Sequence, residues 1–146
     1  PEGARQFAIK MAGMISGFMQ NKNMKTAADY GCGPATLLFT LAQHHPQTQF
    51  YGFDIADSII KRNIEIVNRL QLPNLHFEKD ILPRPQKTRK HDLVTCFATL
   101  HYVKNIEEAI KNLFELVIQE DTSYSTIQTP ILGKLIKRIS NLKITT

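Results

Sequence analysis

The chemistry this sequence can do is carried by three aspartates and a pair of glycines. Gly31-Cys32-Gly33 stands between a β-rich segment ending at Tyr30 and an apolar helical pattern that begins near Pro34. Glycine takes positive φ at no steric cost and lets a ligand come close to the backbone. N–H groups left open in such a turn suit a polar or anionic ligand group. Asp29, just before the turn, is an acceptor for a cationic amine. Asp54 closes Tyr51-Gly52-Phe53-Asp54, where a carboxylate can accept both hydroxyls of a ribose. Aspartate is also a good helix N-cap. Asp57, directly before the next helical run, fits that cap better and leaves Asp54 for a ligand. Asp80 ends Phe77-Glu78-Lys79-Asp80, where an acceptor could take the exocyclic amine of an adenine; read alone, it is a turn residue. His101 and Tyr102 follow the strand-like run His91–Phe97 and would lie over the mouth of a pocket built by the other elements.

These residues need elements to hold them, and the hydrophobic pattern supplies a helix–strand alternation. Helices are expected over 3–21, with Phe7, Met11, Met14, Ile15 and Phe18 on one face, and over 34–45, with Pro34 in the first turn. Further helices are expected over 57–71, with Ile59, Ile60, Ile64, Val67 and Leu70 inward, over 106–119, and from Pro130 onward. Strands are expected over 25–30, 48–53, 75–79, 91–97 and 123–129. Short connections between alternating strands and helices imply parallel strands and right-handed crossovers. The expected fold is α/β: a doubly wound, mainly parallel sheet with helices on both faces. Ligands of such sheets bind at the carboxyl ends of the strands, near the switch in strand order. We expect one domain over 1–146, with an N-terminal helical cap over 1–22, a core over 24–129 and a C-terminal helix over 130–146.

Composition narrows the function classes. The 146 residues are 42% hydrophobic and 21% charged, ordinary for a globular domain. No run approaches the roughly 20 apolar residues of a membrane span, so no membrane partner is expected. Two cysteines make no disulfide framework, and no Cys/His group has metal-ligand spacing; a reducing, cytoplasmic setting and no metal are expected. The net charge of +5 is concentrated in 84–90 and near the C-terminus. Such patches attract nucleic acid or anionic substrates, although neither is interleaved with base-stacking aromatics, and a solvated loop and helix face explain them as well.

Taken in order, the four elements over residues 24–129 resemble the class I S-adenosylmethionine-dependent methyltransferase family. Ala27-Ala28-Asp29-Tyr30-Gly31-Cys32-Gly33-Pro34-Ala35 resembles its first motif, with Ala35 where a third glycine usually stands. Leu100-His101-Tyr102-Val103 resembles the small-molecule branch. The resemblance implies a Rossmann-like fold and S-adenosyl-L-methionine as cofactor, with S-adenosyl-L-homocysteine as product. It implies that Asp29 and the Gly31-Cys32-Gly33 turn hold the methionine end and that Asp54 holds the ribose, with Ile55 against the adenine ring. Asp80 and the Ile81 backbone would read the adenine edge, the Cys96 carbonyl would touch the methionine amine, and Phe97 would border the methyl group. His101 is the candidate base, or else a packing residue. Met11, Met14, Met19 and Phe18 would line an acceptor pocket, or else pack in the core. The family usually adds an antiparallel strand pair after the fifth strand; here the sheet is expected to stop at the fifth.

Rival readings differ in class. A dinucleotide fold wants Gly-x-Gly-x-x-Gly, and its last position here is Thr36. A small-molecule acceptor is the expected partner. An RNA acceptor, or a cofactor-binding subunit that does not catalyse alone, is the alternative. The sequence leaves the acceptor and the oligomeric state open.

Overall fold

The computed structural model describes residues 2–97 and 99–118; the expected fifth strand and C-terminal helix lie outside them. Within them the elements run α1 (Glu2–Met19), β1 (Thr26–Tyr30), α2 (Thr36–His44), β2 (Gln49–Asp54), α3 (Asp57–Leu70), β3 (Leu75–Lys79), β4 (Leu93–Thr95), a 3-10 turn (Leu100–Tyr102) and α4 (Ile106–Glu115). The four strands form one sheet in the order β3-β2-β1-β4, with every pairing parallel. The chain therefore winds outward through β2 and β3 and then returns to the other side of β1. That reversal places the switch point between β1 and β4, at the carboxyl end of β1, where the glycine turn begins.

Successive strand residues face opposite sides of a sheet, and both sides here are buried. Ala27, Phe50, Leu75, Phe77 and Leu93 look toward Ala12 and Met19 of α1, Leu37, Leu38 and Leu41 of α2, and Ile60 of α3. Ala28, Tyr30, Phe53 and Val94 look toward Leu113 of α4 and toward Leu116 and Val117. Helices thus cover both faces, as the sequence pattern implies, and the strands read as near-continuous apolar runs for that reason.

Several expected details are corrected. α2 starts at Thr36, not Pro34, because residues 31–35 complete the turn and Ala35 sits in the left-handed region at φ 58°. α4 stops at Glu115 because the backbone beyond it is drawn to His91: His91 N donates to the Leu116 carbonyl and Ile118 N donates to the His91 carbonyl. β4 holds its ladder only over Leu93–Thr95. The inward face of α3 is Ile60, Asn63 and Val67, with Ile64 and Leu70 exposed. In α1, Ala8, Met11, Ala12, Ile15 and Met19 pack, whereas Phe7 and Met14 are exposed.

One buried side chain closes the end of the sheet opposite the site. Asn74 Nδ2 donates to the carbonyls of Ala42, His45 and Thr48 at 3.0, 3.1 and 3.2 Å, tying the α2–β2 connection to the start of β3. Removing the donor leaves buried carbonyls unsatisfied, at a cost of about 1–3 kcal/mol. Asn74→Ala should therefore lower the denaturation midpoint by several degrees; an unchanged midpoint in a thermal melt would show that these contacts carry no stability.

Candidate cofactor and acceptor site

The glycine turn is sewn to the end of β2. Gly31 and Cys32 both donate their N–H groups to the Phe53 carbonyl, at 2.7 and 3.0 Å. Gly33 N donates to Asp54 Oδ2 at 3.0 Å, and Ala56 N donates to Asp54 Oδ1 at 3.0 Å. Three consecutive backbone donors are thereby spent inside the protein. The sequence reading that open N–H groups of this turn suit a polar or anionic ligand group is corrected accordingly: these three are bonded to the end of β2, and what the turn's neighbours offer are carboxylates.

Two further contacts lock the turn. Thr99 Oγ1 donates to the Gly31 carbonyl at 3.1 Å. Gly31 has φ 74°, and a Cβ there would collide with the Thr99 side chain. From α3, Asn63 Nδ2 donates to the Gly33 carbonyl at 2.8 Å. Gly33 has φ 50°, and a Cβ on it would meet nothing within 4 Å; it borders open space rather than packed protein.

That space is a cavity of about 1150 Å³ at the carboxyl ends of β1, β2 and β3. A pocket for one small ligand usually measures roughly 300–1,000 Å³, so this cavity is at least large enough for a cofactor. Asp29, Gly31, Cys32, Gly33, Asp54, Ile55, Asp80, Ile81 and Phe97 all line it. Cys96 and His101 do not. Cys96 is buried in the core beneath α4, and burial pushes its thiol up to about 12, aided by the nearby Asp29 charge. The His101 ring is exposed and lies against Tyr102 at 3.9 Å between centroids, and it is Tyr102 that reaches the cavity.

Asp29 is the unusual group. It is 4% exposed, and among the described residues its carboxylate accepts one side-chain hydrogen bond, from Thr95 Oγ1 at 2.8 Å. Burial raises its pKa to about 7, against the smaller lowering by Thr95, and the Asp54 charge adds to the rise. A carboxylate so desolvated, with no ion pair among the described residues, fits a ligand that brings a positive charge. Asp80 behaves differently. Its Oδ1 accepts from Ile81 N and Gln86 N at 2.8 Å each, and its Oδ2 accepts from Lys87 N at 3.2 Å and Tyr30 Oη at 3.3 Å. It fastens the loop after β3.

Asp57 is not the cap that the sequence suggested. Ala56 holds the N-cap position, and Asp57 pairs with Lys79 Nζ at 2.8 Å on the surface, which lowers its pKa. The basic run 84–90 is largely committed to the protein itself. Arg84 pairs with Glu108, Lys87 with Glu78, and the Arg89 guanidinium lies 4.6 Å from the centre of the Tyr51 ring.

A family model described as a methyltransferase domain matches residues 21–143. The chain belongs to the methyltransferase-domain family. It is 23% identical over 110 residues to a malonyl-[acyl-carrier protein] O-methyltransferase of Bacillus cereus, a match over 73% of this chain and 40% of that protein. The fold is that of coclaurine N-methyltransferase solved with N-methylheliamine and S-adenosylhomocysteine, at TM-score 0.69 and 18% identity over 77% of this chain and 33% of that one. It is also that of the magnesium protoporphyrin IX methyltransferase of Synechocystis solved with S-adenosylhomocysteine, at TM-score 0.66 and 21% identity over 99% of this chain and 65% of that one. The chain spans less than half the length of the curated relative and a third of the first of these structures.

For this methyltransferase domain, sequence reasoning missed Thr95, Thr99 and Asn63. Only Asn63 left a signal: it is a polar residue at the inward step between Ile60 and Val67, and it is 1% exposed. The threonines act through chain-distant partners that no local pattern reveals.

The raised pKa of Asp29 has a measurable sign. Below about pH 4 the carboxyl is neutral in both folded and unfolded chains and costs nothing. Between about 4 and 7 the folded chain holds a proton that the unfolded chain has lost, so stability falls as pH rises, down to its full deficit above 7. Asp29→Asn, which keeps the shape and a partner for Thr95, should be more stable than the parent at pH 8 and level with it at pH 4 in denaturant titrations. A difference that does not change with pH would refute the assignment.

Proposed function

We propose that the chain is an S-adenosyl-L-methionine-dependent methyltransferase domain that methylates a small-molecule acceptor. The observation that carries this reading is that Asp29, Asp54 and the fastened turn line one cavity of about 1150 Å³. The set of acceptors fits the cofactor, which brings an ammonium beside its carboxylate, a sulfonium and two ribose hydroxyls, and which has no phosphate.

In this reading the Asp29 carboxylate faces the ammonium of the methionine end, and the open side of Gly33 lets that end lie against the backbone. The lone pairs of Asp54 left over from Gly33 and Ala56 accept the ribose hydroxyls. Ile55 and Ile81, both with exposed apolar side chains at the cavity wall, flank the adenine. The backbone of the loop fastened by Asp80 faces the adenine edge. Phe97, in edge contact with Phe7 of α1 at 6.5 Å between centroids, borders the reacting methyl and excludes water from it. Bound there, the cofactor supplies an electrophilic methyl for in-line displacement; the protein aligns the two reactants and keeps the site dry. The committed cations of the 84–90 run favour a small molecule over RNA as acceptor.

S-adenosylhomocysteine at 100 times its Kd should stabilise the protein by about 2.7 kcal/mol and raise its melting temperature by several degrees. Asp54→Ala should weaken that ligand at least tenfold in isothermal titration while the variant still melts cooperatively. A parent protein that S-adenosylhomocysteine does not stabilise would overturn the proposal, and an Asp54→Ala variant with parental affinity would overturn the placement of the ribose.

A further inference from the structure

The charges around the cavity are segregated, and that segregation bears on the acceptor. Among the described lining residues, the acids Asp29, Asp54 and Asp80 come from the strand termini. The described lining cations are Arg5, from the start of α1, and Lys104, just after the 3-10 turn, and Glu2 of α1 is the lining acid outside the strand termini. Among the described residues, neither Arg5 nor Lys104 forms an ion pair, whereas Arg84, Lys87 and Lys79 each do. Glu2 is engaged by Gln6, whose Nε2 donates to Glu2 Oε1 at 3.3 Å. The wall also has an apolar part: Phe7, Ala8 and Met11 of α1 face the same space as Phe97 and Val103. Tyr102 stands at the rim, 81% exposed.

We propose that the acceptor is an amphipathic oxyanion, a carboxylate or a phosphate ester, whose anionic group is held by Arg5 and Lys104 and whose apolar body lies along Phe7, Met11 and Phe97. This rests on the proposed function for the identity of the inner ligand. A guanidinium and an ammonium lining one cavity are suited to a carboxylate or phosphate, the guanidinium through two parallel N–H donors. The acids at the strand termini lie with the inner ligand, so an anionic group on a second molecule is favoured beside Arg5 and Lys104 rather than beside Asp29 and Asp54. An amine acceptor would meet two like charges at Arg5 and Lys104.

The test is calorimetric titration of the full chain with octanoate, octyl phosphate, octanol and octylamine at low salt, each with and without saturating S-adenosylhomocysteine. Exposed ion pairs contribute little apiece, so octanoate or octyl phosphate should bind about fivefold more tightly than octanol. The double substitution Arg5→Gln and Lys104→Gln should erase that advantage without changing octanol binding, as should 0.5 M salt, which screens charges beyond a few ångströms. Lys111→Gln, which removes an exposed charge on α4 away from the cavity, should leave the advantage intact. Whichever of the two anions shows the dependence on Arg5 and Lys104 names the headgroup. Anions that bind no better than octanol, or an advantage that survives the double substitution, would overturn the inference. Failure of S-adenosylhomocysteine to bind would count against the proposed function instead, and the titrations without it would still report on Arg5 and Lys104.

Discussion

Everything at the site depends on how the backbone donors of the glycine turn are used. Gly31, Cys32 and Gly33 turn all three N–H groups toward the end of β2, onto the Phe53 carbonyl and the Asp54 carboxylate. A turn that keeps its donors free is an anion site. A turn that spends them is a rigid edge whose chemistry comes from neighbouring acids. The same fold thus presents acids rather than free N–H donors at its switch point, and the raised pKa of Asp29 comes chiefly from its burial, with the Asp54 charge a smaller contribution.

The sheet makes the arrangement affordable. Parallel pairing sets Asp29 beside Gly52 and Thr95, and Tyr30 beside Phe53, so the turn leaves β1 level with the last residues of β2. The Tyr30 and Phe53 rings stack at 4.6 Å between centroids on the α4 face, and Tyr30 reaches Asp80 through its hydroxyl. One residue therefore joins the core under α4 to the loop after β3. His91 lies in the same layer, fully buried against Tyr51 and Phe53. Burial lowers its pKa to about 4, which keeps the ring neutral and lets it serve as part of an aromatic core.

The sequence made the elements legible because each has its own period: apolar runs for buried strands, three- and four-residue steps for helices. It also made Asp29, Asp54 and Asp80 legible, since acids at strand ends beside a glycine turn are uncommon without a ligand or a fold-level task. It did not separate those two cases. Asp54 carries both, holding Gly33 and Ala56 while keeping lone pairs toward the cavity. Asp80 spends its oxygens on four donors. That distinction depends on which distant backbone groups arrive nearby, and no spacing rule contains it. The ends of α2 and α4 were misread for a similar reason: the left-handed Ala35 and the bridge from His91 to Val117 are set by tertiary partners. Ala35 itself explains how the chain does without a third glycine. It adopts the glycine-like backbone and buries its methyl group in the core.

The contact between Gly31 and Thr99 has a mechanical consequence. Thr99 touches the turn so closely that no side-chain atom fits between them, and it directly precedes the 3-10 turn that carries Tyr102 toward the rim. Thr99 therefore ties the floor of the cavity to the segment that forms its entrance. A side chain added at Gly31 would push on the segment that carries Tyr102 as well as on the turn itself.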